Sequence, residues 1–435
     1  MMVRRGQIWR DAVLSALAVV AVLLWLWTGR EPAVSRFVTT AIFAVTYLAI
    51  ALGRLPGFRV DRAGAALAGA SLMLASGALT IDEVARVIDF NTVALLLGMM
   101  IVVANLRLSG FFRLVNAWIV ARARHPLQLL AAVTFASGLL SAFLLNDAIC
   151  LVLTPLVIDV VRRLDRDPVP YLLAVATAAN IGSAATITGN PQNILVGSFS
   201  HIPYGVFAAQ LSPVAAIGLI LTILVVALCH PGEFRSGRRF EARPAPAHLH
   251  RPLAVKSVVV VLLMMAAFFA GQPPAKVALI GGGFLLLTRV VPSQRIYQEI
   301  DWPLLLMFAG LFVVVAGFEQ TLPAPAVIDA IGGSWLASSA MLATATAILS
   351  NIVSNVPAVL MIKPFVAPAA DPTRSWLVVA MASTFAGNLT VLGSVANLIV
   401  VQLSRAHGVP IGFWQYFRVG APLTVLTILI GLWWL

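Results

Sequence analysis

Long apolar runs recur along the whole chain, and short polar segments separate them. A helix needs roughly 20 mostly apolar residues to cross a bilayer core, and no polar stretch here is long enough to form a separate soluble domain. The pattern therefore predicts an all-α membrane protein of about eleven transmembrane helices. The predicted spans lie near residues 13–27, 37–53, 63–80, 90–106, 171–200, 204–229, 254–271, 275–290, 302–318, 375–404 and 411–434.

One apolar run, residues 148–161, is too short to cross the membrane. At 1.5 Å per residue it covers ~21 Å, against a hydrocarbon core of ~30 Å. Arginines flank it on both sides, and like charge on both flanks indicates that both ends lie on one face of the membrane. We therefore predict a re-entrant hairpin with Asn146 and Asp147 at its tip, and a second re-entrant hairpin where Asn355 takes the same place.

The order of these elements occurs twice along the chain. Ile88-Asp89-Phe90 matches Ile300-Asp301-Trp302 at an offset of 212 residues, and further matches keep their order while the offset drifts to 209 and then to 204. These matches include the pairs Gly98 and Gly310, Asn146 and Asn355, Gly189 and Gly393, and Asn193 and Asn397. We divide the chain into an extra first span (1–35), a first repeat (36–229), a basic, Pro-rich cytoplasmic linker (230–253) and a second repeat (254–435).

Five full crossings separate the starts of the two repeats, and because five is odd the repeats are expected to insert in opposite orientations. Such inverted repeats are typical of secondary transporters. With a cytoplasmic N-terminus, all but six of the 29 Lys and Arg residues fall inside, as the positive-inside rule requires. The exceptions are Arg30, Arg36, Arg86, Lys276, Lys363 and Arg374. We predict a multi-pass protein of a bacterial inner membrane with an external C-terminus.

The composition and charge of the chain argue against several classes of function. Hydrophobic residues make up 60% of the chain and charged residues 11%, against roughly 25% charged in soluble domains. The net charge of +12 arises from loops between spans, so nucleic acid is not expected as a partner. Cys150 and Cys229 lie in apolar runs without metal-ligand spacing, and no catalytic pair or zinc motif lies at membrane depth. We therefore expect neither enzyme activity nor a resident metal or cofactor.

Two segments inside spanning runs are irregular, residues 180–193 and 387–397. Both mix glycines with amides and hydroxyls, and Pro191 cannot continue a helix because it lacks an N–H. Irregular backbone at membrane depth is tolerated around a protected cavity, and the half-helices offer free N–H groups to anions and free C=O groups to cations. One kink alone could be ordinary helix bending, but two kinks at matching places of an inverted pair indicate a binding site.

We predict that the hairpin tips and the irregular segments together bind the solute and its coupling ion. The predicted site residues are Asn146, Asp147, Gly182, Ser183, Thr188, Gly189, Asn190, Asn193, Ser354, Asn355, Asn388, Thr390, Gly393, Ser394 and Asn397. Asp147 is assigned to the coupling ion, as a proton carrier or a sodium ligand, because a carboxylate at the bilayer centre costs roughly 2.5–3.5 kcal/mol and is expected to face a cavity. A tip nearer the interface would instead leave Asp147 solvated. No Lys or Arg lies in these segments, which favours a neutral or singly charged solute.

These motifs resemble the ion transporter superfamily, which includes citrate carriers, arsenite permeases and sodium–dicarboxylate carriers. The similarity covers nearly the whole chain after the first span, and it is carried by Asn146-Asp147-Ala148, residues 188–194, Ser354-Asn355-Val356-Pro357 and residues 393–398. Dicarboxylate carriers have Ser-Asn-Thr at both hairpin tips, whereas the Asn146-Asp147 pair and Tyr416-Phe417-Arg418 are more similar to the arsenite permease branch. The resemblance implies a scaffold, a moving transport domain and a homodimer.

The sequence thus predicts a secondary active transporter that moves a small inorganic or organic anion by alternating access. The solute would be an arsenite-like or antimonite-like oxyanion or a carboxylate, and a proton or sodium gradient would drive its movement. The alternative is a sodium/proton antiporter in which Asp147 is the exchange site. A passive channel is a third hypothesis, and it differs because its flux would dissipate gradients and never concentrate a solute.

Overall fold

The structure is a computed structural model that describes residues 32–53, 60–122, 124–235, 249–287, 291–321, 338–366 and 369–435. The predicted first span and most of the predicted linker lie outside the described residues. Within the described ranges the secondary structure is helical, and no strand occurs there. The predicted all-α class is therefore confirmed.

Seven of the described helices are long and apolar enough to cross a membrane. They are Pro32–Leu52, Phe90–Ser109, Pro126–Phe143, Tyr204–Cys229, Arg251–Phe269, Trp302–Thr321 and Phe413–Trp434. Six of them coincide with predicted spans, and Pro126–Phe143 is the first arm of the predicted first hairpin. The predicted spans near 63–80 and 275–290 are the shorter helices Arg62–Ala75 and Pro274–Leu286. Further helices comprise Ile81–Val87, Phe111–Arg122, Pro231–Phe234 and Ser293–Gln298.

The long helices expose large apolar side chains on their outer faces. Leu228 is 78% exposed, Leu263 is 65% exposed and Trp433 is 82% exposed. A protein in water does not leave broad apolar surfaces uncovered in this way. Lipid is the environment that matches these faces.

The chain divides into two compact units, Met1–Val93 with Asp301–Ser334, and Ala94–Ile300 with Trp335–Leu435. Each unit draws segments from both predicted repeats. The boundaries of the two compact units therefore differ from the predicted repeat boundaries. The repeat boundaries stay a prediction.

Close helix packing in the first unit depends on Gly310. A Cβ added to Gly310 would lie 2.6 Å from the carbonyl carbon of Ala66, which is backbone and cannot move aside cheaply. Helix Trp302–Thr321 thus lies directly on the backbone of helix Arg62–Ala75. Only a residue without a side chain permits this approach.

The second unit contains the same contact with the repeats exchanged. A Cβ added to Gly98 would lie 2.5 Å from the carbonyl carbon of Ala278. Gly98 is the repeat counterpart of Gly310, and Ala278 stands 212 residues after Ala66. Each repeat therefore supplies the glycine in one contact and the alanine in the other, as two repeats related by a two-fold axis require.

The first hairpin consists of Pro126–Phe143 and Asn146–Arg163, which pack against each other and are joined at residues 144 and 145. Asn146 and Asp147 begin the second arm at the tip, as predicted. That arm has 18 residues, so it is longer than the apolar run 148–161 that suggested it. The second hairpin consists of Ser339–Val353 and Asn355–Val366, with Ser354 alone between the two helices.

Both predicted broken spans are present. The first runs as helix Pro168–Ser183, a short 3₁₀ turn at Ile187–Gly189, and helix Pro191–Ser200. The second has the same order, with helix Pro372–Ala386, a 3₁₀ turn at Val391–Gly393, and helix Val395–Ala406. The two breaks leave backbone groups in the interior without partners in a continuous helix. The side chains that bond to these groups form the candidate site.

Candidate functional site

The break in the first span is held together by two asparagines. Asn193 Nδ2 donates to the carbonyl oxygens of Ser183 at 3.1 Å and Thr186 at 2.9 Å, both at the point where the helix is interrupted. Asn190 caps the second half-helix, since its side-chain oxygen accepts the Asn193 N–H at 2.8 Å. A buried break of this kind is stable because its backbone groups are satisfied.

The second break repeats this arrangement 204 residues later. Asn397 Nδ2 donates to the carbonyl oxygens of Gly387 at 2.6 Å and Thr390 at 3.0 Å. Ser394 caps the following half-helix, and its hydroxyl accepts the Ala396 N–H at 3.2 Å. Corresponding residues of the two repeats therefore satisfy corresponding carbonyls.

Hydrogen bonds also run between the two broken spans. The Thr384 hydroxyl donates to Asn193 Oδ1 at 3.3 Å and accepts from Asn190 Nδ2 at 3.2 Å. Thr384 belongs to the second repeat, and both asparagines belong to the first. The second broken span is thus bonded to the capping residues of the first.

The reciprocal bonds are made by Asn180, which stands 204 residues before Thr384. Asn180 Nδ2 donates to Asn397 Oδ1 at 2.9 Å, and Ser394 Oγ donates to Asn180 Oδ1 at 3.1 Å. Exchange of the two repeats therefore converts one set of contacts into the other. The packing contacts of Gly310 and Gly98 show the same exchange between the repeats.

Asn180 has four side-chain partners. Besides Asn397 and Ser394, its Nδ2 donates to Asn388 Oδ1 at 2.9 Å, and its Oδ1 accepts from Asn146 Nδ2 at 3.0 Å. The side chain is 1% exposed. Through Asn146, the first hairpin tip is bonded directly to the centre of this network.

The second hairpin tip reaches the network through Asn355. With its amide oriented to suit its neighbours, Asn355 donates to the carbonyls of Gly393 at 3.1 Å and Ser383 at 3.3 Å. Its oxygen then accepts from Gln192 Nε2 at 3.2 Å, and Gln192 Nε2 also lies 3.3 Å from Thr384 Oγ1. Both tips and both breaks therefore meet in one set of hydrogen bonds, which we call the amide network.

Three members of the amide network lie outside the predicted set of site residues. They are Asn180, Gln192 and Thr384. Asn180 and Gln192 lie inside the irregular segment 180–193. Their amide side chains in that segment could have identified them as candidate site residues from the sequence. Thr384 lies in a regular helix before the second break, and its sequence neighbours give no sign of its role.

Three predicted site residues lie in other contacts. A Cβ on Gly182 would lie 2.1 Å from the carbonyl oxygen of Gly138, and a Cβ on Gly189 would lie 2.2 Å from that of Ser183. The Thr188 hydroxyl lies 2.8 Å from the Tyr204 hydroxyl. The two glycines allow the break to pack closely, and a binding role for these three residues stays a prediction.

Asp147 follows Asn146 in the first turn of the second hairpin arm. Its side chain is half-buried, and Asn146 beside it is 3% exposed. The helix N-terminus favours a negative charge at this position. Asn146 Oδ1 is buried and has no hydrogen-bond partner among the described residues, so one acceptor of the tip is free to bind an ion or a solute hydroxyl.

Ser354 at the second tip has an unusual backbone conformation, with φ 81° and ψ 159°. Residues other than glycine rarely occupy this region, and the cost is of order 1–3 kcal/mol. This backbone conformation turns the chain sharply between the two arms and brings Asn355 to the amide network.

Replacing Ser354 by glycine is expected to stabilise the protein by about 1 kcal/mol, because relief of strain exceeds the added entropy of the unfolded chain. Thermal unfolding of the purified protein measures the change. Ser354→Ala is the control, since alanine keeps the strain. Equal stabilities of the glycine and alanine variants would contradict the strained backbone.

The sequence profile of the citrate transporter family, CitMHS, matches residues 22–386. An uncharacterized transporter of Mycobacterium tuberculosis is 32% identical over 421 residues, which cover 90% of this chain and 97% of that protein. Silicon efflux transporter LSI3 of Oryza sativa subsp. japonica is 28% identical, with 90% of this chain and 95% of that protein covered.

Two further proteins are also similar to this chain over most of its length. Putative transporter arsB of Dictyostelium discoideum is 25% identical and covers 91% of this chain. The crystal structure of the Alcanivorax borkumensis YdaH transporter matches with a TM-score of 0.59 at 15% identity, covering 94% of this chain and 96% of that one. At this identity the structural match concerns the fold. Together with the profile match over most of its length, these findings show that the chain is a multi-pass membrane transporter belonging to the citrate transporter family, within the superfamily that its motifs resemble.

Proposed function

We propose that this transporter is secondary active and moves a small oxyanion-type or weakly acidic solute by alternating access, coupled to protons or sodium. The observation that carries the proposal is the amide network, in which both hairpin tips and both broken spans share hydrogen bonds. Broken helices at matching places of inverted repeats are the usual site of solute and ion binding in such transporters. We further propose that the predicted site residues line this binding place.

The chemistry of the amide network supports a solute with little charge. Its members are amides, hydroxyls and backbone carbonyls, which donate and accept hydrogen bonds without adding charge. A multiply charged anion would need cationic partners to offset the cost of leaving water. A small hydroxylated acid matches these groups better, and the names of two relatives, which refer to silicon efflux and to arsB, are consistent with that class.

Asp147 is the residue proposed to couple transport to a gradient. It lies beside the free Asn146 acceptor, where it can bind a proton or contribute to sodium coordination. Loss of the carboxylate should therefore uncouple the gradient from the solute.

In proteoliposomes with an imposed proton or sodium gradient, Asp147→Asn is expected to reduce gradient-driven uptake of arsenite, silicic acid or a small carboxylate at least about tenfold, the effect of ~1.4 kcal/mol on one step. Asp159→Asn is the matched control, because Asp159 is exposed on the same hairpin arm. Unchanged uptake by the Asp147 variant would refute the coupling role. Failure of every gradient to drive any of these solutes would refute the transport proposal.

A sodium/proton antiporter is the second candidate, and the position of Asp147 favours it. In that case the carboxylate would exchange the two cations and no further solute would move. Addition of sodium to acid-loaded proteoliposomes that contain a pH dye separates the candidates. A pH change that needs sodium and no other solute supports the antiporter.

We also propose the orientation and assembly that the sequence predicts. The protein would lie in the inner membrane with a cytoplasmic N-terminus and would form a homodimer. Reporter fusions at the ends of the predicted repeats, 36–229 and 254–435, test the orientation. Opposite orientations of matching positions are expected if the repeats are inverted.

A further inference from the structure

A cavity of about 860 Å³ lies apart from the amide network. It is bounded by the end of helix Phe90–Ser109, the start of helix Phe111–Arg122, the second arm of the first hairpin, and the start of helix Arg251–Phe269. The His250 N–H donates to the Ser109 carbonyl at 3.0 Å and joins two of these walls. The cavity is open to the surface.

Basic side chains gather at this cavity. Arg107, Arg113, His250 and Arg251 line it, and all four are exposed. Arg107 forms an ion pair with Glu299. In the described part of the chain, Arg113 and Arg251 have no carboxylate partner. Three guanidinium groups with one carboxylate between them leave a net positive charge that attracts an anion. A planar guanidinium can donate two parallel hydrogen bonds to two phosphate oxygens.

Apolar side chains form another part of the cavity wall. The hairpin arm contributes Leu151, Val152 and Leu156, and the short helix contributes Phe112. A free inorganic anion makes no use of such a wall. A molecule with a phosphate at one end and a hydrocarbon chain at the other matches both sides of the cavity.

The neighbouring helix Phe111–Arg122 indicates the depth of the cavity. Its 12 residues span only ~18 Å, too little to cross the membrane. Trp118 is 49% exposed and Leu114 is 41% exposed. Tryptophan prefers the level of the lipid headgroups, so Arg113, which lies in the first turn of the same helix, is near the level of headgroup phosphates. By the predicted orientation this is the cytoplasmic leaflet, which carries anionic lipids.

We propose that this cavity binds the headgroup of an anionic phospholipid, with Arg113 and Arg251 contacting the phosphate and the acyl chain lying along Leu151 and Leu156. The hairpin arm that forms part of the wall begins at Asn146, five residues before Leu151. A bound lipid would therefore brace the arm that positions the first tip.

Thermal unfolding of the detergent-purified chain tests this, with phosphatidylglycerol, phosphatidylcholine of the same acyl chains, or inorganic phosphate added. Phosphatidylglycerol is expected to raise the unfolding temperature, and the other two are expected to leave it unchanged. In the Arg113→Gln/Arg251→Gln variant the apparent affinity for phosphatidylglycerol should fall about 10- to 30-fold, since two basic contacts are lost.

Arg295→Gln/Arg405→Gln is the matched control, because these arginines are also exposed but do not line the cavity. It should retain full affinity. Equal losses in both double variants, or an equal shift with phosphatidylcholine, would overturn the proposal. An equal shift with inorganic phosphate would show a soluble anion site and would overturn the lipid as its source. Should the glutamine variant not fold, Arg113→Glu alone must abolish the lipid-induced shift.

Discussion

Asn180→Ala is expected to destabilise the protein by about 3–5 kcal/mol and to abolish transport. The substitution removes one side chain and takes a hydrogen bond from four buried groups, on Asn388, Asn397, Ser394 and Asn146, of which Ser394 keeps the bond from the Ala396 N–H. Each unpaired buried group costs roughly 1–3 kcal/mol, and the losses are partly relieved where the partners keep other bonds. Denaturant or thermal unfolding in detergent measures the loss.

Two further variants make this result interpretable. Asn180→Asp keeps the size of the side chain but cannot donate to Asn388 or Asn397, so it should also destabilise the protein. Asn91→Ala changes an exposed asparagine and should alter the free energy of unfolding by less than about 0.5 kcal/mol. If Asn180→Ala unfolded like the unmodified protein, the amide network could not be what holds the breaks together.

Gly182→Ala is expected to have the second largest effect, a loss of about 3 kcal/mol. The new methyl group would lie 2.1 Å from the carbonyl oxygen of Gly138, and both sides of this contact are backbone. Overpacking against backbone costs about 1–3 kcal/mol and occasionally more. The first hairpin arm and the first broken span would have to separate, which would also displace Asn180 two residues earlier.

Gly283→Ala is the matched control for Gly182→Ala. It is also a helical glycine, but a Cβ there meets no atom within 4 Å. Alanine should be neutral or should stabilise the helix by roughly 0.5–1 kcal/mol. Equal stability of the two alanine variants would contradict the close contact between Gly182 and Gly138.

Local chemistry explains why the main elements could be predicted. Lipid offers no hydrogen-bond partners to the backbone, so a long apolar run forms a helix that satisfies its own backbone groups. Apolar length therefore located six of the seven long helices of the described chain. Pro191 cannot continue a helix from the residues before it, because it lacks an N–H, and it begins the second half-helix of the first broken span. The Asn146-Asp147 pair could be placed at a hairpin tip because the apolar run beyond it was too short to cross and had arginines on both sides.

The partners of the polar residues could not be predicted in the same way. Thr384 resembles any threonine in a helix, and it is a member of the amide network only because Asn190 and Asn193 lie beside it. Gly182 was predicted to bind a ligand, which stays a prediction, and no local pattern indicates that it lies against the backbone of Gly138. Arg113 and Arg251 are separated along the chain by helices and loops, yet they line one cavity.

The sequence by itself therefore determined the all-α class, six of the seven long helices of the described chain, the hairpin tips and the breaks, because each depends on the length, composition or backbone properties of a continuous segment. Tertiary structure decided which amide bonds to which, which glycine is needed for packing, and where basic side chains gather. Those outcomes depend on distances between residues as far apart in sequence as Asn180 and Asn388, and only the folded chain sets such distances.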